Sequence, residues 1–221
     1  MNSRLSFYFG NPWIGMFIKT NNEKTVVPLD THDKLILQLS EQLKTEVIKI
    51  SVGYSNLLGV YLAMNSKGVV LPAIADPEEV SVLKKIGLNV HVCSDKFNAL
   101  GNNLLVNDTG GIASEVISKD EQKKIEDALG IEIGATTIAN YKTVGSAAVA
   151  ANNGFLSHFG TQEEEFELMK TYLKVNGAKG SINVGVGFIG YGVVANKHGY
   201  IAGGQSSTYE LGRVEEALQY I

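Results

Sequence analysis

Apolar positions along this chain switch between a period of 3.6 and a period of two, and the switch itself recurs. Helical stripes fall at Leu35, Leu39 and Leu43, at Val80, Leu83 and Ile86, and at Ile125 and Leu129. Two more fall at Phe166, Met169 and Leu173, and at Leu211, Val214 and Leu218. Each stripe follows a residue suited to open a helix: Thr31, Asp76, Ser118, Thr161 or Ser207. Four of these have a glutamate three residues on, which predicts capping boxes Asp76/Glu79, Ser118/Glu121, Thr161/Glu164 and Ser207/Glu210. Pro77 suits a first helical position, and Gly87 and Gly130 suit helix ends. Short β-type runs, TVVPL, VVLP, GIAS, FLSH and YIAGG, lead into the helices. The runs EVIKIS, LNVHVC, IEIG and SINVG follow four of them. The fifth helix has no such run after it, whereas RLSFYF near the start has no helix before it.

The recurrence has a template, G-x5-N-x2-G. It fits Gly59, Asn65 and Gly68, then Gly101, Asn107 and Gly110, then Gly190, Asn196 and Gly199. Two copies lapse once each. Gly145 and Gly154 flank Ala151 in the Asn slot, and Gly15 and Asn21 are followed by Lys24 in the last slot. Successive lead glycines lie 44, 42, 44 and 45 residues apart. Each copy predicts a hairpin: the lead glycine lets backbones approach closely, a strand follows at once, and N-x-x-G makes a turn with positive φ. Asn21, Asn65, Asn107 and Asn196, with Gly68, Gly110, Gly154 and Gly199, are therefore expected to form turns, since recurrence once per unit is what a turn requires. The pattern predicts one α/β (α+β) domain over residues 1–221, five ββαβ units around a pseudo-fivefold axis. The N-terminal strand would complete the fifth unit and close the ring, hiding two sheet edges. The period also suits a four-stranded propeller blade, but a capped helix in every unit argues against it.

Composition narrows the function. Hydrophobic content of 44% and charged content of 19% describe a folded globular chain. A formal net charge of −4 argues against a surface built to neutralise phosphates, so a partner met over a wide face is expected to be basic or neutral. One cysteine, Cys93, excludes an internal disulfide and fits a reducing compartment. The apolar SFYFGNPWIGMFI is interrupted by Gly10, Pro12 and Gly15, and no small-residue cleavage site follows it. No apolar run reaches the length of a membrane span. A cytoplasmic protein without a membrane partner is the expectation.

GVGFIG, residues 185–190, has the spacing of a dinucleotide fingerprint. That fingerprint needs a helix opening on its last glycine, and the YGVVANKHGYIAGG that follows has no helical period. Gly190 is instead the fifth lead glycine, with Gly185 and Gly187 assigned to the strand entering that unit. No cofactor is expected.

Five such units, with GNPWIGMF, NALGNNLLVNDTGG, TVGSAAVAANNG and STYELGRVEEAL, resemble the archaeal translation initiation factor 6 family over essentially the whole chain. That resemblance implies the pentein fold and a binding protein rather than an enzyme. The implied partner is the large ribosomal subunit, held on the face that meets the small subunit, mainly through a ribosomal protein with rRNA contact in addition. While bound, such a factor, a monomer, would prevent premature subunit joining, and the family is connected with late maturation of the large subunit. Ala151, Lys24 and Phe159, where a proline would be expected, depart from the pattern.

The pentein fold also hosts guanidine-modifying hydrolases with a nucleophilic cysteine, which makes Cys93 the alternative. His91 lies two residues before it on the same strand face. Those enzymes carry their cysteine near the C-terminal end, so a buried, inert Cys93 is expected here. His32, His158 and His198 show no metal-ligand spacing, and Glu163–Glu165 sit where a helix dipole favours them. Binding residues are sought where the units differ: after the lead glycines stand Met16, Val60 and Tyr61, Asn102 and Asn103, Ser146 and Ala147, and Tyr191. Asn102 and Asn103, a polar pair starting a strand beside the axis, need hydration or a partner. By resemblance Asn102 matches a family position at the ribosomal-protein contact, and Val60 matches another where a basic side chain would have helped. Met16 and Tyr61 read equally as interface anchors or as core.

Overall fold

A computed structural model describes residues 4–220, and it is built of five units in which three strands and one long helix recur. The sheets of the first four units are Lys19–Thr20, Lys24–Pro28 and Glu46–Ile50; Ala63–Met64, Gly68–Pro72 and Asn89–Cys93; Leu104–Val106, Gly111–Ala113 and Ile133–Ala135; and Ala148–Ala151, Gly154–His158 and Gly177–Gly180. In each, the first two strands are antiparallel, and the third returns parallel to the second after the helix. In the fifth unit Val193–Ala195 and Tyr200–Gly203 are joined by Leu5–Ser6, which runs parallel with Leu5 opposite Ala202. The N-terminal strand thus closes the ring, and the Arg4–Glu215 ion pair ties it to the fifth helix.

The long helices, Asp33–Leu43, Pro77–Lys85, Lys119–Leu129, Glu163–Leu173 and Thr208–Ala217, turn the predicted stripes inward, with Val80, Ile86 and Phe166 half-buried and the others buried. Asp76/Glu79 and Ser207/Glu210 form capping boxes, and Gly130 ends its helix at φ +61°. Two caps sit one residue later than expected. His32 and Gln162 open the first and fourth helices; Thr161 spends its hydroxyl on His158 O at 2.6 Å, whereas the Thr31 hydroxyl has no hydrogen-bond partner among the described residues. Ser118 caps its helix alone, since Glu121 turns away to other donors. The strand expected at SINVG lies four residues earlier, at Gly177–Gly180, and residues 182–186 form a turn. Gly185 adopts φ +91° in that turn, and Gly187 packs where a Cβ would lie 2.1 Å from the His158 ring.

The lead glycines do not start strands. Each sits in one turn of helix: Ile14–Met16 (a 3-10 turn), Leu58–Tyr61, Leu100–Asn103, Val144–Ala147 and Ile189–Gly192. The reason is a closed ring of backbone contacts. A Cβ on Gly59 would lie 1.8 Å from Gly15 O, on Gly101 2.1 Å from Gly59 O, and on Gly145 2.1 Å from Gly101 O. Gly190 would meet Gly145 O at 2.0 Å, and Gly15 would meet Gly190 O at 2.2 Å. Only glycine allows five turns to approach this closely.

Each apolar cluster is shared by two neighbouring units rather than lying at the centre. Val194 and Ile201 of the fifth unit pack with Ile14, Ile18, Leu39 and Leu43 of the first. Leu105 and Ile112 pack with Val144, Phe155, Met169 and Leu173. The first strand of every unit is an edge strand facing the axis.

Candidate functional site

The two ends of the ring differ in chemistry. At one end the hairpin turns meet the helix C-termini. Asn65 Oδ1 accepts from the N–H groups of Lys67 and Gly68, both at 3.0 Å, while its Nδ2 donates to Asn107 O and to Leu129 O. Asn107 does the same with Thr109 and Gly110, then with Ala151 O and Leu173 O. Asn196 reaches Asn21 O and Leu43 O, and Asn21 reaches Asn65 O. These side chains shape their own turns and also link each unit to the next. The turn glycines do not adopt positive φ. They are needed because a Cβ on Gly68, Gly110, Gly154 or Gly199 would lie 2.3, 1.7, 2.0 or 2.3 Å from a carbonyl oxygen at the end of the neighbouring unit's helix.

Both lapses in the template have local compensation. At Lys24 the neighbouring helix is Pro77–Lys85, nine residues against ten or eleven elsewhere, and the Lys24 ammonium is met by Glu46 at 2.9 Å. At Ala151 the missing amide is replaced twice: the Tyr220 hydroxyl donates to Asn196 O, and Asn153 Nδ2 donates to Leu218 O at 2.5 Å.

The opposite end carries the five lead turns, the loops that enter them and the N-termini of the long helices. A buried glutamate positions four of those loops. Glu79 accepts from Ser51 Oγ and from the N–H groups of Gly53, Tyr54 and Asp76. Glu165 accepts from Thr137, Ala139, Asn140 and Gln162, and Glu210 from Ser181, Val184, Gly185 and Ser207. Glu121 takes His91 Nε2 at 2.5 Å, Ser94 and Lys124. Burial alone would raise these carboxyls, but the donors outweigh it and hold all four below the usual range, Glu121 down at about 2. In the first unit Leu35 stands in the glutamate's place, and Tyr8 donates to Asp30 instead. Sequence reasoning treated Glu79, Glu121 and Glu210 as caps alone, and in the fourth helix it named Glu164 as the cap rather than Glu165. The signal for their second role is a Ser or Thr 27 to 29 residues upstream of each.

On this end Met16, Val60, Asn102, Ser146 and Tyr191 follow the five glycines around the axis. Asn102 and Asn103 complete a helical turn rather than begin a strand. Asn103 is buried, whereas Asn102 is half-buried with its Oδ1 enclosed and unpaired. Met16, Val60 and Tyr61 are half-buried, Tyr61 packing on the cluster that holds Leu58 and Leu62. Around them the loops expose Phe9, Tyr54, Tyr141 and Val184, with Leu29, Ile74, Phe159 and Tyr209 further out. Tyr54 is 84% exposed and Val184 75%, so this rim is an apolar surface facing solvent. Exposed Asp33, Glu78, Asp120, Glu163 and Glu164 open the helices at the same end.

Cys93 ends a strand within the cluster formed by Leu100, Leu104, Ile125 and Leu129 and is fully buried. Burial pushes its thiol up to about 11, and the His91 ring nitrogen is engaged by Glu121. A thiolate nucleophile needs the reverse, a lowered pKa and access. His158 accepts from Gly160 N–H, His32 stacks on Phe9, and His198 lies in its turn. Among the described residues no helix is long and apolar enough to cross a membrane.

A family model described as eIF-6 family matches residues 3–217. A protein named Translation initiation factor 6 from Picrophilus torridus is 36% identical, over 93% of this chain and 94% of its own length. The protein of that name from Methanocaldococcus jannaschii is 36% identical over 97% of both chains. Its namesake from Staphylothermus marinus is 34% identical over 97% of this chain and 96% of its own.

Proposed function

The chain belongs to the eIF-6 family, which makes it a ribosome-associated translation factor, and we propose that it binds the large ribosomal subunit and blocks its joining to the small one. The contact uses the lead-turn end, with Asn102 and Asn103 at its centre and Met16, Val60 and Tyr61 beside them. The observation that carries this reading is the apolar rim at this end, with Tyr54 84% and Val184 75% exposed around the half-buried Asn102. A contiguous apolar rim left facing solvent is a contact surface for a partner. The acidic helix starts around the rim favour a basic ribosomal protein over bare rRNA, which supplies a lesser contact. A stable contact of ordinary size buries roughly 1,600 Å². The factor acts by occupying a surface, as a monomeric domain and without turnover, and its presence on the maturing large subunit would delay joining until release.

The test is affinity for purified large subunits. Asn102→Ala is expected to weaken binding at least about tenfold, the scale of an interface hot spot, while leaving thermal stability within about 0.5 kcal/mol. Lys67→Ala, on the turn end, is expected to bind as the unmodified protein does. Equal affinities for all three proteins would refute the proposed surface.

A further inference from the structure

Around the axis, between the ring of lead turns and the ring of turn asparagines, runs a narrow channel. Its upper part, about 40 Å³, is lined by Lys19, Leu105, Val149 and Val194 among others, with Gly15 and Gly190 at the lead-turn side. Four residues past each lead glycine the five units carry Lys19, Ala63, Leu105, Val149 and Val194, all in equivalent pairings with the second strand. Lys19 is the exception in an otherwise apolar layer. Lys19 is half-buried, and its side chain borders the channel.

Nothing in that lining is acidic. The neighbouring carboxylate, Asp108, borders the smaller cavity below and is already met by Asn22, by the N–H and hydroxyl of Ser66, and by Asn152. Among the described residues Lys19 has no ion pair, and burial pushes its ammonium down to about 8. The rest of the wall is apolar but for Thr20, and all five first strands are edge strands of their sheets.

We infer that the axial channel is a binding site for a small monovalent inorganic anion, held by the Lys19 ammonium. Size selects the class. A water needs about 10–15 Å³ of such space, so a cavity of about 40 Å³ takes a chloride with a water or two and excludes a nucleotide or a sugar phosphate. The anion would neutralise a charge that otherwise faces a low-dielectric wall. This site lies inside the ring and is independent of the subunit-binding surface.

The test uses the full chain and bromide. In crystals grown or soaked in sodium bromide, an anomalous peak is expected in the channel beside Lys19, and none there in Lys19→Met. In solution, bromide at ten times its dissociation constant is expected to raise the melting temperature by roughly 3–5 °C over gluconate at the same ionic strength. Lys19→Arg should keep that shift and Lys19→Met should lose it. An empty channel in the bromide crystals of the unmodified protein overturns the inference, whether or not Lys19→Met folds. A bromide peak of equal height in Lys19→Met overturns it as well.

Discussion

Gly59→Ala should be among the most damaging single-methyl additions in this protein. The new Cβ would lie 1.8 Å from Gly15 O and 2.9 Å from Gly15 C, and the third neighbour, Met16 C at 3.2 Å, is also backbone. No flexible side chain is available to move. Relief requires shifting one lead turn by more than about 1 Å, yet Gly15 is itself confined by Gly190 O, 2.2 Å from its own would-be Cβ. Overpacking usually costs about 1–3 kcal/mol, and a closed backbone ring puts this case at or above the upper end. At about 2–4 °C per kcal/mol for a chain of this size, the melting temperature should fall by roughly 6–12 °C. The control is the same substitution at Gly212, inside Thr208–Ala217, where φ is ordinary and nothing lies within 4 Å of the new Cβ. There alanine should stabilise by about 0.5–1 kcal/mol through helix propensity. Thermal and urea denaturation of the two variants give the comparison. A loss below about 1 kcal/mol for Gly59→Ala, or a Gly212→Ala that falls equally far, would refute the claim that backbone contact at the axis organises the ring.

The glutamate struts predict a pH profile. Glu121 is 2% exposed, with its folded pKa held at about 2 against an ordinary value of 4.5. A depressed carboxyl pKa contributes stability that is complete above about pH 4.5 and is lost as pH falls towards 2, here on the order of 3 kcal/mol. Unfolding free energy measured from pH 6 to 2.5 should therefore drop less steeply in Glu121→Gln than in the unmodified protein, and parallel profiles would contradict the strut. Tyr220→Phe removes a donor from Asn196 O and from Gly199 O, and should cost about 1–2 kcal/mol in urea unfolding; a neutral substitution would mean the Ala151 lapse needs no repair. Cys93 should resist a thiol-specific disulfide reagent at pH 8 until the protein unfolds. Labelling at the rate of a free thiol would reopen the hydrolase alternative.

Much of this architecture was legible because repetition averages out local ambiguity. Any one stripe such as Ile125 and Leu129 is weak, but five in register located the helices, and the orphaned RLSFYF gave the closure of the ring. What escaped the sequence was the physical reason for two of its signatures. Lead glycines followed by β-type residues read as strand starts, and only the contact between Gly59 and Gly15, 44 residues apart in sequence, shows why a helical turn intervenes. N-x-x-G read as a positive-φ turn, whereas the glycine answers to a carbonyl on the neighbouring helix. The cap at Gln162 was missed by one residue because Thr161 has a competing acceptor in His158 O. Among the candidate contact residues, sequence differences between units brought Asn102 forward, but only coordinates reveal that its Oδ1 is enclosed and unmatched. The struts Glu79, Glu121, Glu165 and Glu210 act across a unit boundary and carry no local signature beyond a helix cap.

The central claim is that this chain occupies the joining surface of the large subunit. Purified large and small ribosomal subunits, mixed under joining conditions with the protein in excess and separated on a density gradient, test it most directly. The protein is expected to travel with the large subunit, and the joined particle to be depleted in proportion. Joined particles at undiminished yield, with the protein left at the top of the gradient, would contradict it.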